Sequence, residues 1–530
     1  MNRIEQAKSN FKKFASLPFR EYQAEAVEFA IKSEKQVIVI SAGTGFGKSL
    51  SNACLCDIYA DSTYLVHSKA LQDQIQGDFS EFVVLKGRSN YKCNLHWNEY
   101  NPIMSDSCPF AIPSSCPSYS QCTYRMMKFK ALKSQYRVLN YKYFLTEANY
   151  VGKFSTGGVL IADEADTLEG ELLSFIKLIV TERMVERYHL TLPKRKTTQA
   201  KDGVSSWLKW AELSRVKIKS QIQLLKTAMD RVGQSPPETM LKEFNRATSF
   251  LTSLNIFCEH VDEEWLLNIS NTKYGERWEF FPTWITSKLI EQYLLRHCSK
   301  IILTSATFPA LPVLSKTLGI PESMMDYYEV PSTFPPANKP IYLDAVADMS
   351  RKTAEEDTPK LLKRIKEILA DNINVKGLIH CNSYKIRDIV MRVNNPRLIT
   401  HNSQNREETL QKFKESTLPL VLVSPSMDRG VSLEYDLCRF IIIAKAPFPH
   451  LGDKQVSKRL YSGGLGQKWY SGITLSRSSQ PAQDTRNPNR KRQKRRGCHQ
   501  RHHRILPIRI DAQQAKCRGC PIQPSRKRRS

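Results

Sequence analysis

Residues 42–49 read A-G-T-G-F-G-K-S, directly after the apolar run Val37-Ile38-Val39-Ile40 and at the head of a helix-like stretch opening near Lys48. Strand, glycine-rich turn and helix in that order form a phosphate cradle. Small residues let consecutive backbone N–H groups turn toward an anion, and the helix N-terminus adds its dipole. The pattern is that of a P-loop with Ala42 in place of its first glycine. Gly43, Thr44, Gly45, Phe46 and Gly47 make the loop. Lys48 is spaced to bridge β- and γ-phosphates, and the Ser49 hydroxyl to ligate Mg²⁺. The alternative is a chance glycine-rich turn, which the strand–loop–helix context disfavours. Such a loop commits this part of the chain to an α/β unit. Further strand-length apolar runs at Thr63–Val66, Phe82–Leu85, Val159–Ala162 and Ile301–Thr304 alternate with helix-like segments, which predicts a doubly wound parallel sheet.

The run Val159–Ala162 ends in Asp163 and Glu164. At the carboxyl end of a strand the first carboxylate can hold Mg²⁺, and the second can orient and deprotonate an attacking water. An Asp-Glu pair after a strand is commonplace on solvated edges. Coupled to a P-loop it predicts nucleoside triphosphate hydrolysis, with Lys48, Asp163 and Glu164 as the catalytic residues.

Two stretches break the alternation. Residues 87–138 hold a cysteine-rich loop. Residues 171–275 read as helical: Ile218, Ile222, Leu225, Met229 and Val232 recur at spacings of four and three, and Met240, Phe244, Ala247, Leu251 and Leu254 repeat the pattern. Between them Ser235, Pro236 and Glu238 predict an N-cap and capping box that restart the helix, so an antiparallel hairpin is expected. A second α/β region is expected over 326–476, with strands at Gly377–His380, Leu420–Val423 and Phe440–Ala444.

The charge is uneven. The chain of 530 residues has a formal net charge of +27, which suits a polyanionic partner. Residues 477–530 hold 17 Lys+Arg against Asp484 and Asp511, and no Val, Met, Phe, Tyr or Trp. More than half of the excess therefore sits in the last 54 residues, and the remainder is only moderately basic. No apolar run approaches the roughly 18–20 residues of a spanning helix, so no membrane partner is expected. The opening MNRIEQAKSNFKK has no apolar core of a secretory signal. With 13 cysteines this predicts a reducing compartment, cytoplasmic and nucleoid-associated, or nuclear in a eukaryote, with metal-bound or free thiols.

An ordered series of motifs over residues 17–476 resembles the superfamily 2 helicases, and closely the iron–sulfur XPD/DinG family. Arg20 and Gln23 in FREYQ are similar to its adenine-reading segment, and HSKALQDQ (67–74) to its motif Ia, which touches the DNA backbone. Ser305-Ala306-Thr307 matches motif III, which couples hydrolysis to domain movement. KGLIHCNSY (376–384) and SPSMDRGVSLEYDLCRFIIIAKAPFP (424–449), with Gly430 as a further coupling residue, resemble motifs IV and V. Two positions depart from the pattern. Asp166 stands where the family usually has His, which puts inter-domain coupling in question, and Ser432 stands where it commonly has Asp.

Cys93, Cys108, Cys116 and Cys122 are spaced C-x14-C-x7-C-x5-C between motifs Ia and II, where the family inserts its cluster domain. The spacing lacks the close CxxC pairs of zinc ribbons, and four thiolates suit a [4Fe–4S] cluster. A structural Zn²⁺ and uncoordinated thiols are the alternatives. The YRMMKFKALKSQYR segment (124–137) is either a basic and aromatic wedge for single strands or an ordinary amphipathic helix. The Cys517-x-x-Cys520 pair, with Cys498 and His499, has no strand or turn pattern around it and predicts no site.

The resemblance implies two RecA-like P-loop motor domains, the first carrying an iron–sulfur insertion and a helical arch-like insertion. The expected division is 1–86, 139–170 and 276–325 for the first motor, 87–138 for the four-Cys insertion, 171–275 for the arch, 326–476 for an incomplete second motor and 477–530 for a basic tail. The implied activity is an ATP-dependent DNA helicase that loads on single-stranded DNA, moves 5′→3′ and opens duplex junctions. ATP, Mg²⁺ and [4Fe–4S] are the implied cofactors; no protein partner is indicated. The family's motif VI, an arginine-bearing helix, is not recognisable. Gln480 and Arg486 stand one residue short of its outer spacing, and Gln483 and Asp484 occupy its Gly-Arg positions. The tail is therefore read either as disordered or as out-of-frame translation, and weak hydrolysis is expected of the chain. A DEAD-box-type RNA helicase, a related exonuclease and a non-catalytic nucleic-acid-binding protein with a vestigial nucleotide site are the competing readings.

Overall fold

The computed structural model describes residues 3–43, 45–93, 104–108, 116–154, 157–193, 203–232, 237–332, 342, 344–350, 353–426, 433, 435–484 and 505–506. Its strands are β1 (Val37–Ser41), β2 (Ser62–Val66), β3 (Val83–Val84), β4 (Tyr136–Asn140), β5 (Gly157–Asp163), β6 (Leu178–Thr181), β7 (Trp265–Thr272), β8 (Gly275–Pro282), β9 (Cys298–Ser305), β10 (Met325–Glu329), β11 (Gly377–His380), β12 (Leu398–Thr400), β13 (Val421–Ser424), β14 (Phe440–Ile443) and β15 (Ile505–Leu506).

Seven of these make one sheet, ordered β10-β1-β9-β5-β2-β4-β3, with every pairing parallel. Parallel strands covered by helices are buried on both faces, which is why their sequences run continuously apolar. In β1, Val37 and Val39 point into one core and Ile38 and Ile40 into the other. The second sheet repeats the arrangement in the order β12-β13-β11-β14-β15. Phe440 and Ile442 face one core there, and Ile441 and Ile443 the other. The α/β class and the parallel sheets agree with the expectation from the sequence.

β4 and β10 were not expected. β4 reads YRVLN, and its Arg137 is buried because it bonds Asp61 at 2.6 Å and Thr63 at 3.0 Å and lies over the Phe154 ring. A charged residue masks the apolar pattern when its partners come from distant chain. β10, MDYYE, is an edge strand pairing only with β1.

Residues 171–275 do contain two long helices, Gly203–Val232 and Glu238–His260, packed together. They also contain β6 and β7, which with β8 form an antiparallel sheet ordered β6-β8-β7. Trp207 and Phe257 of the helices pack edge-on against Phe280 of β8. The β7–β8 turn at Lys273-Tyr274 closes on Gly275 at φ +97°, a left-handed position open to glycine without strain. Ser235 and Pro236 lie outside the described residues; the second helix opens after Pro237. The helix Gly464–Asp484 continues through 477, and β15 pairs with the edge strand β14. Among the described residues no helix is long and apolar enough to cross a membrane.

Candidate nucleotide site and cysteine cavity

The motif residues of the first sheet gather at the carboxyl ends of parallel strands, where α/β sheets place ligands. β1 leads into the phosphate loop and β5 into Asp163-Glu164. β9 leads into Ser305-Ala306-Thr307, and β2 into His67. Gly45 and Gly47 have φ of +86° and +90°. Ala42 is not among the positive-φ residues, so the first loop position needs no glycine here. Its N–H bonds the Ser305 carbonyl at 2.9 Å. A Cβ placed on Gly43 meets nothing within 4 Å, leaving that side of the loop open. Thr44 lies outside the described residues. Lys48 and Ser49 begin the helix Lys48–Tyr59, and the Lys48 ammonium donates to the Ala42 carbonyl at 3.0 Å.

Arg20 and Gln23 brace this loop from behind. Arg20 donates to the Gly45 carbonyl at 2.6 Å. The Gln23 amide donates to the carbonyls of Phe46 at 2.8 Å and Gly47 at 3.2 Å. The Gln23 side-chain oxygen accepts from the Arg20 backbone N–H at 2.7 Å. Two residues outside the loop thus bind its carbonyls, which turns the loop's N–H groups toward the opposite side.

Asp163 is buried. It accepts from the Tyr64 hydroxyl at 2.7 Å and from Thr304 at 3.3 Å. Burial pushes its carboxyl up, while nearby Lys48 and the Tyr64 hydrogen bond pull it back. A carboxylate so desolvated gains from a cation placed beside it. Glu164 has φ 48° and ψ 44°, a left-handed conformation that costs a non-glycine residue about 1–3 kcal/mol and clusters at functional sites. His67 Nδ1 lies 2.9 Å from Glu164 Oε2.

Asp166 accepts from Ser305 Oγ at 2.8 Å and Thr307 Oγ1 at 3.3 Å. A carboxylate with two acceptor oxygens engages both hydroxyls of the Ser-Ala-Thr turn at once, with Ala306 half-buried between them. The replacement of His by Asp therefore keeps a direct link from the β5 end to the β9 end. Gly430 and Ser432 lie outside the described residues. Tyr64 was not singled out from the sequence, His67 only as part of a motif, and the link of Asp166 to Ser305 and Thr307 not at all. The parallel β2–β5 register would have placed His67 beside Glu164.

Cys93, Cys108, Cys116 and Cys122 line a single cavity together with Arg88, Ser105 and Arg125. All four are free and half-buried. Burial and then the neighbouring thiols Cys108, Cys93 and Cys122 push the Cys116 thiol up, against a backbone hydrogen bond at Ser118. Among the described residues no set of three or more His, Cys, Asp or Glu side chains is drawn together as for one metal ion. The remaining described cysteines of the motor sheets, Cys54, Cys56, Cys298, Cys381 and Cys438, are buried. Cys498, Cys517 and Cys520 lie outside the described residues.

With this geometry in place the chain can be compared with known proteins. The helicase C-terminal domain family matches residues 367–480. No curated protein matches the sequence. Three solved structures share the architecture. One XPD helicase is 13% identical with a TM-score of 0.58, over 93% of this chain and 96% of that one. Xpd4 of S. tokodaii is 15% identical with a TM-score of 0.56, over 92% and 95%. An apo XPD is 14% identical with a TM-score of 0.55, over 92% and 95%. At such identities the likeness is one of fold, and it extends over both parallel sheets. The chain has the fold of the XPD helicases, two RecA-like α/β units, and residues 367–480 match the helicase C-terminal domain family.

Proposed function

We propose that the chain is an ATP-dependent DNA helicase that translocates 5′→3′ on single-stranded DNA and opens duplex junctions. The observation that carries the reading is the convergence of Lys48, Asp163, Glu164 and Asp166 with Ser305 at the ends of adjacent strands β1, β9 and β5. In this reading the loop N–H groups and Lys48 bind the β- and γ-phosphates, Ser49 and Asp163 hold Mg²⁺, and Glu164 activates water. Arg20 and Gln23 sit behind the loop, where a base stacked over it would be read. The Asp166–Ser305 link joins the hydrolytic carboxylates to the turn after β9. The proposed division into motors, insertions and tail departs from the boundaries expected from the sequence where β10 pairs in the first sheet, where β8 joins β6 and β7, and where the helix Gly464–Asp484 crosses 477. The separate treatment of 477–530 is supported by its composition and by the family match ending at residue 480.

Four thiols on one cavity are the donor set of a [4Fe–4S] group. Cys93, Cys108, Cys116 and Cys122 would hold the cluster as thiolates, and Arg88 and Arg125 on the same wall would balance their charge. The bound cluster would supply a rigid cross-link and a redox-active centre.

Lys48→Ala tests the motor reading. DNA-stimulated ATP hydrolysis is expected to fall at least about tenfold below wild type; equal rates reject an ATPase. Gly47→Ala should weaken ATP binding about tenfold, measured by fluorescent-nucleotide titration, because φ +90° strains any side chain and a Cβ there comes within 2.3 Å of the Gln23 amide nitrogen. Anaerobically purified protein is expected to absorb near roughly 400 nm, as iron–sulfur proteins do, and Cys116→Ser to lose that band. Zinc in equimolar amount without the band would replace the cluster in this reading.

A further inference from the structure

We propose that His67 is the positioning residue for Glu164, fixing the carboxylate that activates water; this rests on the reading of the site as an ATPase. The argument begins with strand register. β2 and β5 pair in parallel, Ser62 with Val159 through Leu65 with Ala162. Two steps further along, the same register sets His67 opposite Glu164. The side chains meet there, His67 Nδ1 to Glu164 Oε2 at 2.9 Å, both about a quarter exposed.

Each backbone is held independently of this contact. His67 lies between β2 and the helix Lys69–Asp78, whose first turn is capped by Ser68 Oγ accepting from the Leu71 N–H. Glu164 is held by its N–H donating to Asp163 Oδ1 at 2.9 Å and its carbonyl accepting from the Thr167 N–H at 2.9 Å. The Glu164 side chain has three torsions and high rotamer freedom. The imidazole removes that freedom. Tyr64, three residues earlier, does the same for Asp163, so the end of one strand orients both carboxylates. A general base misplaced by an ångström loses much of its effect, which makes this contact consequential for rate and nearly irrelevant to nucleotide affinity.

The test is single-turnover hydrolysis of radiolabelled ATP by the full chain in excess. His67→Ala is expected to slow the hydrolytic step about tenfold with ATP affinity within about twofold. His67→Asn, whose amide nitrogen falls near the place of Nδ1, is expected to recover most of the rate. In a Glu164→Gln background His67→Ala should cost nothing further, since the group it positions no longer acts. A His67→Ala rate within about twofold of wild type, or an undiminished loss in the Glu164→Gln background, overturns the proposal. If wild type and Lys48→Ala hydrolyse alike, the ATPase reading fails and takes this proposal with it. Wild type well above Lys48→Ala, with His67→Ala unaffected, sinks the positioning role alone.

Discussion

Glu164→Gln is expected to lower the single-turnover rate of ATP hydrolysis by about 10²–10⁴-fold, the range supplied by a general base, and to leave ATP binding within about twofold. Glutamine keeps the volume and one oxygen able to face His67, but it cannot take a proton from water. Asp163, with its Tyr64 and Thr304 bonds, is untouched, so the Mg²⁺ ligand set survives. Single-turnover conditions matter here. On the resemblance read from the sequence no arginine finger is recognisable, because Asp484 stands at its expected position, so wild-type turnover is expected to be slow. A Glu164→Gln rate within about tenfold of wild type would remove Glu164 from the role of base. Asp163→Asn is the contrasting variant: its loss should be relieved in part by raised Mg²⁺, whereas that of Glu164→Gln should not.

The parts of this fold that were legible in the sequence are those whose physics is local. Doubly buried parallel strands read as unbroken apolar runs, as in Val37–Ile40 and Ile441–Ile443. The phosphate loop reads as small residues between a strand and a helix. What escaped depended on partners far along the chain. Arg137 made β4 look unlike a strand until Asp61 and Thr63 neutralised it. The sheet β6-β8-β7 escaped because its strands lie on either side of two strongly periodic helices, and β8 carries four charged or aromatic residues in its first five positions. At the site, Asp166 read as a departure from a family pattern. In the folded chain its two oxygens take hydrogen bonds from Ser305 and Thr307, a pairing across 139 and 141 residues that no local window contains. His67 was quoted only as part of a motif, although strand register places it beside Glu164.

Arg459→Ala is expected to destabilise the folded chain by about 3–5 kcal/mol, the cost of breaking a buried ion pair from one side. Arg459 belongs to the helix Lys454–Leu460, next to the second sheet in the chain, yet its polar partners Glu169 and Thr283 flank strands of the first part. Its guanidinium is 2.5 Å from Glu169, with side chains 3% and 14% exposed, and it donates to the Thr283 carbonyl at 2.6 Å. The Trp284 and Trp469 rings flank it at 4.4 and 5.0 Å. Each such ring contact contributes about 0.5–2 kcal/mol, so alanine removes packing as well as charge. The sharper test is the double variant. Arg459→Ala takes away the guanidinium that faces a buried carboxylate, whereas Arg459→Ala with Glu169→Gln also removes that negative charge. The pair should therefore cost less than the single change, a non-additivity of about 1–3 kcal/mol in a denaturant titration. Tryptophan emission from Trp284 and Trp469 should shift to the red in both variants as the rings lose their cover. Arg459→Lys should rescue little, because a single ammonium cannot contact both rings while reaching both Glu169 and the Thr283 carbonyl. Glu169 stands five residues beyond Glu164, on the helix Leu168–Ile176 that leads away from the carboxylates. The clasp therefore fastens the helices that carry Arg459 and Trp469 to the segment that follows Asp163 and Glu164. If the double variant is no more stable than Arg459→Ala alone, the ion pair is not what holds this junction, and the ring packing must hold it.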